Sequence, residues 1–561
     1  MYRFAISIAL AACATATPVV AGAQTAPAPT QAEKNALANA ALPADQAALK
    51  SHVMFLSSDA MRGRDVGTPE FAIAANYVAS QFYEAGLRPM GDNGSYLQNV
   101  PLVSYKLDGE GAMAITRKGG APVGLAFGTD FLPSPNAARP LTEVTGQIVF
   151  VGYGITAPQL GRDDYRGVNV KGKIVAFFGG APSAFPGEER AHFSSGATKN
   201  AIAALHGAIG TIQLESPATA RQRPFAAGRA FLGRARYTWA EKDGSGHVAN
   251  PETPSLGSVS LAGAAKLFEG AKTPWADIAK LAETDGAKFK AMVLPATLSV
   301  SFKTVNAPVP SFNVVGMVPG SDPNLAAETV VLSAHLDHIG VGRPDATGDT
   351  INNGALDDAV GVASLIEEAR RFKTADKAPR RSIVFLAVTA EEKGLIGSDY
   401  FAHNPTVPKQ SLVAEVELDM PILTYKFQDI VVYGAQHSTL GPIVARAGSA
   451  IGVTLSEDPL PEEGIFVRSD HYRFVQQGVP AVFLWPGAGG PGKAAIQAFM
   501  RDHYHQPSDE LTQLPAIDWE QGVRFVDVNY RIAREIADGD QRPVWNKGDF
   551  FGTLYNGPGA K

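Results

Sequence analysis

The chain has 561 residues, more than one hydrophobic core usually supports, so two or more domains are predicted. Hydrophobic residues make up 45% and charged residues 19%, and the net charge of −6 comes from both signs mixed along the chain. This composition is ordinary for a globular enzyme, and the lack of a basic block disfavours nucleic acid as a partner. After the N-terminus no apolar run reaches the roughly 18 residues that a membrane span needs, so none is predicted.

The first 23 residues are typical of an export signal. Arg3 supplies the positive end, residues 4–12 the apolar stretch, and residues 21–23 a cleavage site of small residues. We therefore predict an exported protein, periplasmic or secreted, that is cleaved after residue 23. The alternative is a lipoprotein-type box over residues 10–13, which would leave a lipid anchor at Cys13.

Cys13 is the only cysteine of the chain. A mature protein cleaved after residue 23 has no disulfide and no thiolate for catalysis or for zinc. Any metal site must therefore be built from His, Asp and Glu.

The chain then changes character several times. Residues 24–42 are rich in Ala, Pro and Gln and predict a flexible leader. A helix is predicted from Pro43, and an amphipathic helix over residues 71–86. Between about 104 and 300, short strand-like runs broken by Gly and Pro predict a small inserted β-rich domain without a cluster of metal-type residues.

From about residue 305, strand-like runs alternate with helical ones. The strands are predicted over 329–333, 382–388, 412–418, 430–433 and 481–485, and the helices over 359–372 and 394–403. Buried strands that alternate with helices predict an α/β fold with a mostly parallel central sheet flanked by helices. In such a sheet, ligands bind beyond the C-terminal ends of the strands.

Acidic residues and histidines follow the ends of these strands. In chain order they are His335, Asp337, His338, Asp357, Asp358, Glu391, Glu392, Asp419, His503 and His505. Each has an ordinary alternative, such as a carboxylate at a helix N-terminus, a solvated acidic pair or a buried imidazole. Zinc binds nitrogen and oxygen ligands at about 2.0–2.2 Å, and two metals about 3.5 Å apart need a bridging carboxylate or hydroxide between them. Because the residues gather at one predicted sheet edge, the combination predicts a metal site.

Five motifs resemble the co-catalytic two-zinc exopeptidases, the family of bacterial leucyl aminopeptidases and glutamate carboxypeptidase. They are SAHLDHIG (333–340), NNGALDDAVGVA (352–363), TAEEKGLIGS (389–398), ELDM (417–420) and YHQPSDE (504–510). Residues 56–70 resemble the N-terminal segment of that catalytic domain, and residues 163–182 resemble the protease-associated domain often inserted in it. The implied division is a signal peptide at 1–23, a leader at 24–42, a catalytic domain at 43–135 and 301–540, an inserted protease-associated domain at 136–300 and a C-terminal tail at 541–561.

The resemblance implies two Zn²⁺ ions per chain and a role for each residue. His335 and Asp419 would bind one ion, Glu392 and His505 the other, and Asp357 would bridge both, with Glu391 as general base and the Asp337 carboxylate orienting His335. The peptide bond between Asp357 and Asp358 is expected to be cis. Manganese and cobalt remain alternatives to zinc, because carboxylate-rich sites accept several metals.

A further segment of the chain, RSDHYRF (468–474), resembles a part of the family that lines the substrate side. Arg468, Ser469, Asp470 and His471 are therefore candidate substrate contacts, with hydrogen-bonded scaffolding as the alternative. His338, His471 and His503 are not ligands in this assignment.

The implied function is an exported di-zinc metallo-exopeptidase acting on peptides, as a monomer or a homodimer, by attack of a zinc-bound hydroxide with Glu391 as general base. An aminopeptidase is favoured, because acidic residues at 457–463 could accept a free amine. A carboxypeptidase, the alternative, needs cations for the terminal carboxylate, and no cluster of Arg is found. A non-catalytic binding protein of the same fold is disfavoured, since the ligands and Glu391 are all present.

Overall fold

A computed structural model describes residue 32, residues 35–36, residues 39–512 and residues 515–561. The predicted export signal, its cleavage site and Cys13 lie outside the described residues, as does most of the predicted leader. The chain divides into two units, Met1–Ala41 and Leu42–Lys561. In the first unit the N–H of Asn39 donates to the carbonyl oxygen of Asn35 at 2.9 Å. The second unit contains the sheet and all the predicted metal and substrate residues.

The described residues form eighteen strands. These are β1 (Arg88–Pro89), β2 (Leu97–Thr116), β3 (Val123–Gly124), β4 (Phe131–Leu132), β5 (Leu141–Phe150), β6 (Thr156–Ala157), β7 (Arg162–Asp163), β8 (Ile174–Phe178), β9 (Gly210–Leu214), β10 (Arg236–Trp239), β11 (Ser255–Val259), β12 (Met292–Val318), β13 (Thr329–His335), β14 (Ser382–Val388), β15 (Leu412–Glu417), β16 (Asp429–Tyr433), β17 (Thr454–Ser456) and β18 (Ala481–Pro486).

The α-helices of the second unit are numbered in the same way. They are α1 (Ala44–Leu56), α2 (Pro69–Glu84), α3 (Gly187–Ser194), α4 (Gly196–Leu205), α5 (Pro217–Gln222), α6 (Leu261–Leu267), α7 (Trp275–Leu281), α8 (Val360–Thr374), α9 (Ile396–His403), α10 (Leu440–Ala450), α11 (His471–Val475), α12 (Gly492–Asp502), α13 (Trp519–Asp538) and α14 (Phe550–Leu554).

Sixteen of the described strands belong to one sheet, whose main path runs β17-β16-β18-β15-β13-β14-β12-β5-β8-β9-β11-β4. At its centre β13 pairs in parallel with β14 and with β15, and β15 pairs in parallel with β18. The pairs β12–β14 and β16–β18 are antiparallel. The prediction of an α/β fold with a mostly parallel central sheet is therefore confirmed.

Helices cover the central strands. Every residue of β13, β14 and β15 is buried, and because side chains alternate between the two faces of a strand, both faces must be covered. Helix α8 contacts α1, α13 and β13, while α11 contacts α9, β15 and β18. The central strands and helices are close to the sequence prediction, and β14 has the predicted bounds.

The strand β12 joins the β-rich region to the central sheet. Its 27 residues pair with β2 and β5 along most of its length and with β14 near its end. The predicted domain boundary between residues 300 and 301 falls inside this strand, so the two regions share one continuous set of backbone hydrogen bonds. The division into a catalytic and a protease-associated domain stays a prediction.

The last residues of the chain pack into the main core, where Trp545 and Phe551 are buried. The indole N–H of Trp545 donates to the carbonyl oxygen of Gly478 at 2.8 Å. A separate finding concerns membranes: within the described ranges, no helix combines the length and the apolar character needed to cross one.

Candidate metal centre

The five predicted metal ligands lie together at the C-terminal ends of the central strands. His335 is the last residue of β13, Asp419 follows β15, and Glu392 follows β14. Asp357 lies just before α8, and His505 follows α12. Because parallel strands end at the same edge of a sheet, residues from distant parts of the chain meet there.

Three of these side chains surround one point. The Nε2 atom of His335 lies 3.1 Å from Oδ1 of Asp357 and 3.3 Å from Oδ1 of Asp419. A tetrahedral zinc ion with ligands at about 2.0–2.2 Å holds its ligand atoms roughly 3.3–3.6 Å apart. The observed spacing is therefore close to that of a three-residue cation site.

The other two side chains surround a second point. The Nε2 atom of His505 lies 3.4 Å from Oδ2 of Asp357 and 3.1 Å from Oε2 of Glu392. Asp357 thus faces His335 with one carboxylate oxygen and His505 with the other. This is the geometry that a bridging carboxylate between two adjacent cations requires.

His338 is a second histidine near this second point. Its Nδ1 atom lies 2.8 Å from Oε1 of Glu392, outside hydrogen-bonding angles, and 3.9 Å from Oδ2 of Asp357. Together with Asp357 and Glu392 it forms a group that could hold a cation. The distances around His505, 3.4 and 3.1 Å, are more even than those around His338, and the assignment of His505 as the ligand stays a prediction.

Asp358 could in principle replace Asp357 beside His335. Its carboxylate, however, accepts the backbone N–H groups of His335 at 3.2 Å, Gly361 at 3.0 Å and Met420 at 2.9 Å. These bonds occupy both oxygens and tie the end of β13, the start of α8 and the segment after β15 to one another. The sequence alternative of a carboxylate at a helix N-terminus therefore describes Asp358, whereas the carboxylate of Asp357 faces His335 and His505.

The structure corrects the predicted role of the Asp337 carboxylate. The Nδ1 atom of His335 lies 3.0 Å from the main-chain oxygen of Asp337, not from its side chain. The carboxylate instead accepts the backbone N–H of Glu391 at 3.0 Å, which draws it toward that loop. A carbonyl oxygen can orient a ligating imidazole as a carboxylate does, so Asp337 holds His335 through its backbone and Glu391 through its side chain.

The charges of the centre are unbalanced. Burial raises the pKa of Glu391 well above its usual range, with neighbouring carboxylates adding to the effect and His335 opposing it. At His505 burial disfavours the charged ring, but the neighbouring carboxylates of Asp357 and Glu392 outweigh it and raise the pKa to about 10. A buried excess of carboxylates over imidazoles is unfavourable unless cations neutralise it, so the donor set fits divalent metals.

The backbone is strained around this centre. Ala390, Met420 and His505 have φ values of 55°, 46° and 57°, in the left-handed region that non-glycine residues rarely adopt. Such conformations persist where the surrounding structure holds them, and they cluster at functional sites. The peptide bond between Asp357 and Asp358 is cis, as the resemblance implies.

A small cavity of about 40 Å³ opens over the two points. Glu391 lines it beside four of the five predicted ligands, all except Glu392, as do Arg468 and Ser469. The rest of the wall is mainly apolar and is formed by Met420, Ile465, Phe483, Trp485, Met500 and Tyr504. The site therefore presents carboxylates and imidazoles on one side and an apolar surface on the other.

The four candidate substrate residues divide into two pairs. Arg468 and Ser469 line the cavity, and their contact with substrate stays a prediction. Asp470 and His471 are fully buried and do not line it. Asp470 accepts the hydroxyl of Ser398, and the His471 ring lies against aromatic side chains. For Asp470 the structure supports the scaffolding alternative. Both ring nitrogens of His471 are buried without a hydrogen bond, so the role of His471 stays a prediction.

The part of the chain that carries the candidate metal centre matches a known sequence family. Residues 313–532 match Peptidase family M28. The probable leucine aminopeptidase 2 of Aspergillus fumigatus is 26% identical over 265 residues, which are 43% of this chain and 48% of that protein. The leupeptin-inactivating enzyme 1 of Streptomyces exfoliatus is 29% identical over 216 residues, 36% of this chain and 44% of that protein. The chain thus spans about half the length of these curated relatives.

Among solved structures, an aminopeptidase from Aneurinibacillus sp. strain AM-1 is 20% identical, covers 87% of this chain and 93% of its own, and has a TM-score of 0.47. A zinc aminopeptidase from Bacillus subtilis is 17% identical, covers 90% of this chain and 98% of its own, and has a TM-score of 0.43. The similarity to Peptidase family M28 therefore rests on the sequence match, which includes the five predicted ligands and Glu391. Residues 313–532 of this chain are similar to that family.

Proposed function

We propose that this chain is a di-zinc aminopeptidase that releases N-terminal residues from peptides. The single observation that supports this most is the shared position of Asp357, whose two oxygens face His335 and His505 at 3.1 and 3.4 Å. His335 and Asp419 would hold one ion, and His505 and Glu392 the other, with Asp357 common to both. Relatives named leucine aminopeptidase add support from sequence.

The chain's own residues supply the rest of the chemistry. When bound, the two zinc ions would polarise the peptide carbonyl and favour ionisation of the attacking water. Glu391, in the cavity wall, takes the proton of that water and then passes it to the leaving amine. The hydrogen bond from the Glu391 N–H to the Asp337 carboxylate holds this base in place.

The charges around the cavity support an aminopeptidase over a carboxypeptidase. Within the described part of the chain, Arg468 is the guanidinium that lines the cavity, and it already donates to Glu463 at 3.0 Å. The carboxylates that line the same cavity, Asp357, Glu391 and Asp419, are assigned to the metal ions and to the base. An aminopeptidase is favoured because, among the described lining residues, no unpaired guanidinium is available for a terminal carboxylate. The apolar wall supports an apolar N-terminal residue as the preferred substrate.

The test compares a leucyl-anilide with a dipeptide whose amine is blocked, each with and without a zinc chelator. We expect cleavage of the anilide only, its loss with chelator and its return on addition of zinc. Cleavage of the blocked dipeptide alone would favour the carboxypeptidase, and no cleavage of either substrate would contradict an exopeptidase.

Export belongs to the same proposal. Fractionation of cells and the mass of the mature N-terminus test cleavage after residue 23. Labelling by a radioactive fatty acid would instead support the anchor at Cys13, and full-length protein in the cytosol would contradict export.

A further inference from the structure

Two fully buried charged residues hold the loop that carries Asp357, although neither belongs to the predicted ligand set. Arg64 lies between α1 and α2, in the segment that resembles the N-terminal part of the catalytic domain. Asp509 lies in the YHQPSDE motif, shortly after His505. Arg64 contacts backbone carbonyl oxygens of residues 353–357, and Asp509 contacts backbone N–H groups of the same segment.

Arg64 binds the acceptors of this loop. Its guanidinium donates to the carbonyl oxygens of Leu56 (3.1 Å), Leu336 (2.8 Å), Asn353 (2.5 Å), Gly354 (2.8 Å) and Asp357 (3.3 Å). Leu336 is the residue that follows His335, so Arg64 also connects the loop to the end of β13. A planar fork of five N–H groups is what allows one side chain to reach acceptors in three segments.

Asp509 binds the donors of the same loop. Its Oδ1 accepts the N–H of Leu356 at 3.0 Å, and its Oδ2 accepts the N–H of Asp357 at 3.1 Å. Its main-chain oxygen accepts the N–H of Ala355 at 3.0 Å. Asp509 therefore connects the loop to the segment that carries His505.

The loop has little room to adjust on its own. Gly354 has a φ of 60°, in the left-handed region that favours glycine. A Cβ atom at this position would meet the carbonyl oxygen of Asp357 and, at 2.7 Å, the ring of His338. The backbone between Gly354 and Asp357 is thus packed closely against itself and against the ring of His338.

We propose that Arg64 and Asp509 are positioning residues that fix the bridging carboxylate of Asp357. Asp357 must present one oxygen to each cation, so a small rotation of its backbone would spoil both contacts together. A guanidinium does not bind cations, and N–H groups occupy both carboxylate oxygens of Asp509, so the two residues act through Asp357. The proposal rests on the proposed function, because the role concerns metal binding.

The test measures the zinc affinity of the folded full-length chain by competition with a chromogenic chelator, together with its thermal unfolding. The variants R64K and R64Q remove the guanidinium. The variant D509N replaces one carboxylate oxygen by an amide nitrogen, and D509E moves the carboxylate by one methylene. R381K is a matched control, because Arg381 is equally buried and donates to the carbonyl oxygen of Ile536 at 2.9 Å. D429N is a second control, because buried Asp429 accepts the N–H of Gly489 at 2.9 Å.

We expect the Arg64 and Asp509 variants to bind zinc about 10- to 100-fold more weakly than the wild type, at both sites. The controls should lose thermal stability to a similar degree and keep wild-type affinity. Wild-type affinity in the Arg64 and Asp509 variants would overturn the positioning role, as would a failure of all four to fold, because the residues would then serve the fold alone. A wild-type chain that binds no zinc would instead contradict the proposed function.

Discussion

Two regions of this molecule bury histidine among carboxylates, and their geometry differs. One is the candidate metal centre. The other joins α3 to the C-terminal segment, where Nδ1 of His437 lies 2.5 Å from Oδ2 of Asp549 and its Nε2 hydrogen-bonds to Glu188. We call these three residues the His437 cluster.

In the His437 cluster the carboxylate oxygens are matched by donors. Glu188 also accepts the N–H of Gly434 at 2.8 Å and the side-chain amide of Gln436 at 2.6 Å. Burial opposes the charged ring of His437, but its hydrogen bonds to the two carboxylates raise its pKa to about 10. The cluster is therefore a buried, fully hydrogen-bonded ion pair network that links α3, the segment after β16 and the C-terminal segment.

The metal centre contains the same residue types in an open arrangement. Its imidazole nitrogens lie 3.1–3.4 Å from the carboxylate oxygens, and Oε1 of Glu392 is buried without a hydrogen bond. The comparison teaches that residue type alone does not identify a cation site. Ligand spacing and unmatched lone pairs distinguish it from a buried ion pair.

The largest expected effect comes from removing the shared ligand. D357N should lose both metal ions and reduce turnover by several orders of magnitude, because each group of ligands loses a member. Elemental analysis of the purified protein measures the metal. D549N, in the His437 cluster, should retain two equivalents, and full metal content in D357N would contradict the bridge.

The second prediction tests whether Glu391 acts as a general base and not as a metal ligand. E391Q should keep its two metal ions and lose turnover by about 10²- to 10⁴-fold, because an amide cannot accept the proton of the attacking water. Steady-state kinetics on the leucyl-anilide measure this. E188Q provides the matched control in the other cluster, and near-normal turnover in E391Q would remove Glu391 from the mechanism.

A third effect concerns stability rather than turnover. The raised pKa of His437 means that its contribution is complete below the unfolded pKa of about 6.5 and is lost as the pH rises toward about 10. H437Q should therefore be less stable than the wild type by on the order of 3 kcal/mol near pH 6. This difference in the free energy of unfolding should disappear near pH 10. Denaturant unfolding at both pH values checks this, and a difference that widens with pH would contradict the ion contact.

The smallest effect is expected at the cavity rim. R468Q should change the KM for a leucyl-anilide by less than about tenfold, because the charge of Arg468 is already paired with Glu463 and surface ion pairs contribute about 1 kcal/mol or less. Loss of activity on a substrate with a free carboxylate would instead identify Arg468 as a carboxylate contact. The comparison of both substrates in one variant decides between these roles.

The sequence by itself determined the central α/β architecture and the edge at which the candidate ligands meet. Alternating strand-like and helical runs are local patterns, and β14 has its predicted bounds over residues 382–388. Parallel strands end at one edge, so His335, Asp419 and the residues after β14 could be placed together before any contact was known.

Only the tertiary structure decided which atoms meet. The main-chain oxygen of Asp337, not its carboxylate, reaches the ring of His335. Arg64 binds carbonyl groups nearly 300 residues away, and His437 joins segments from three parts of the chain. Such contacts depend on the exact course of a backbone that β12 carries without a break through the predicted domain boundary, and no local pattern encodes that course.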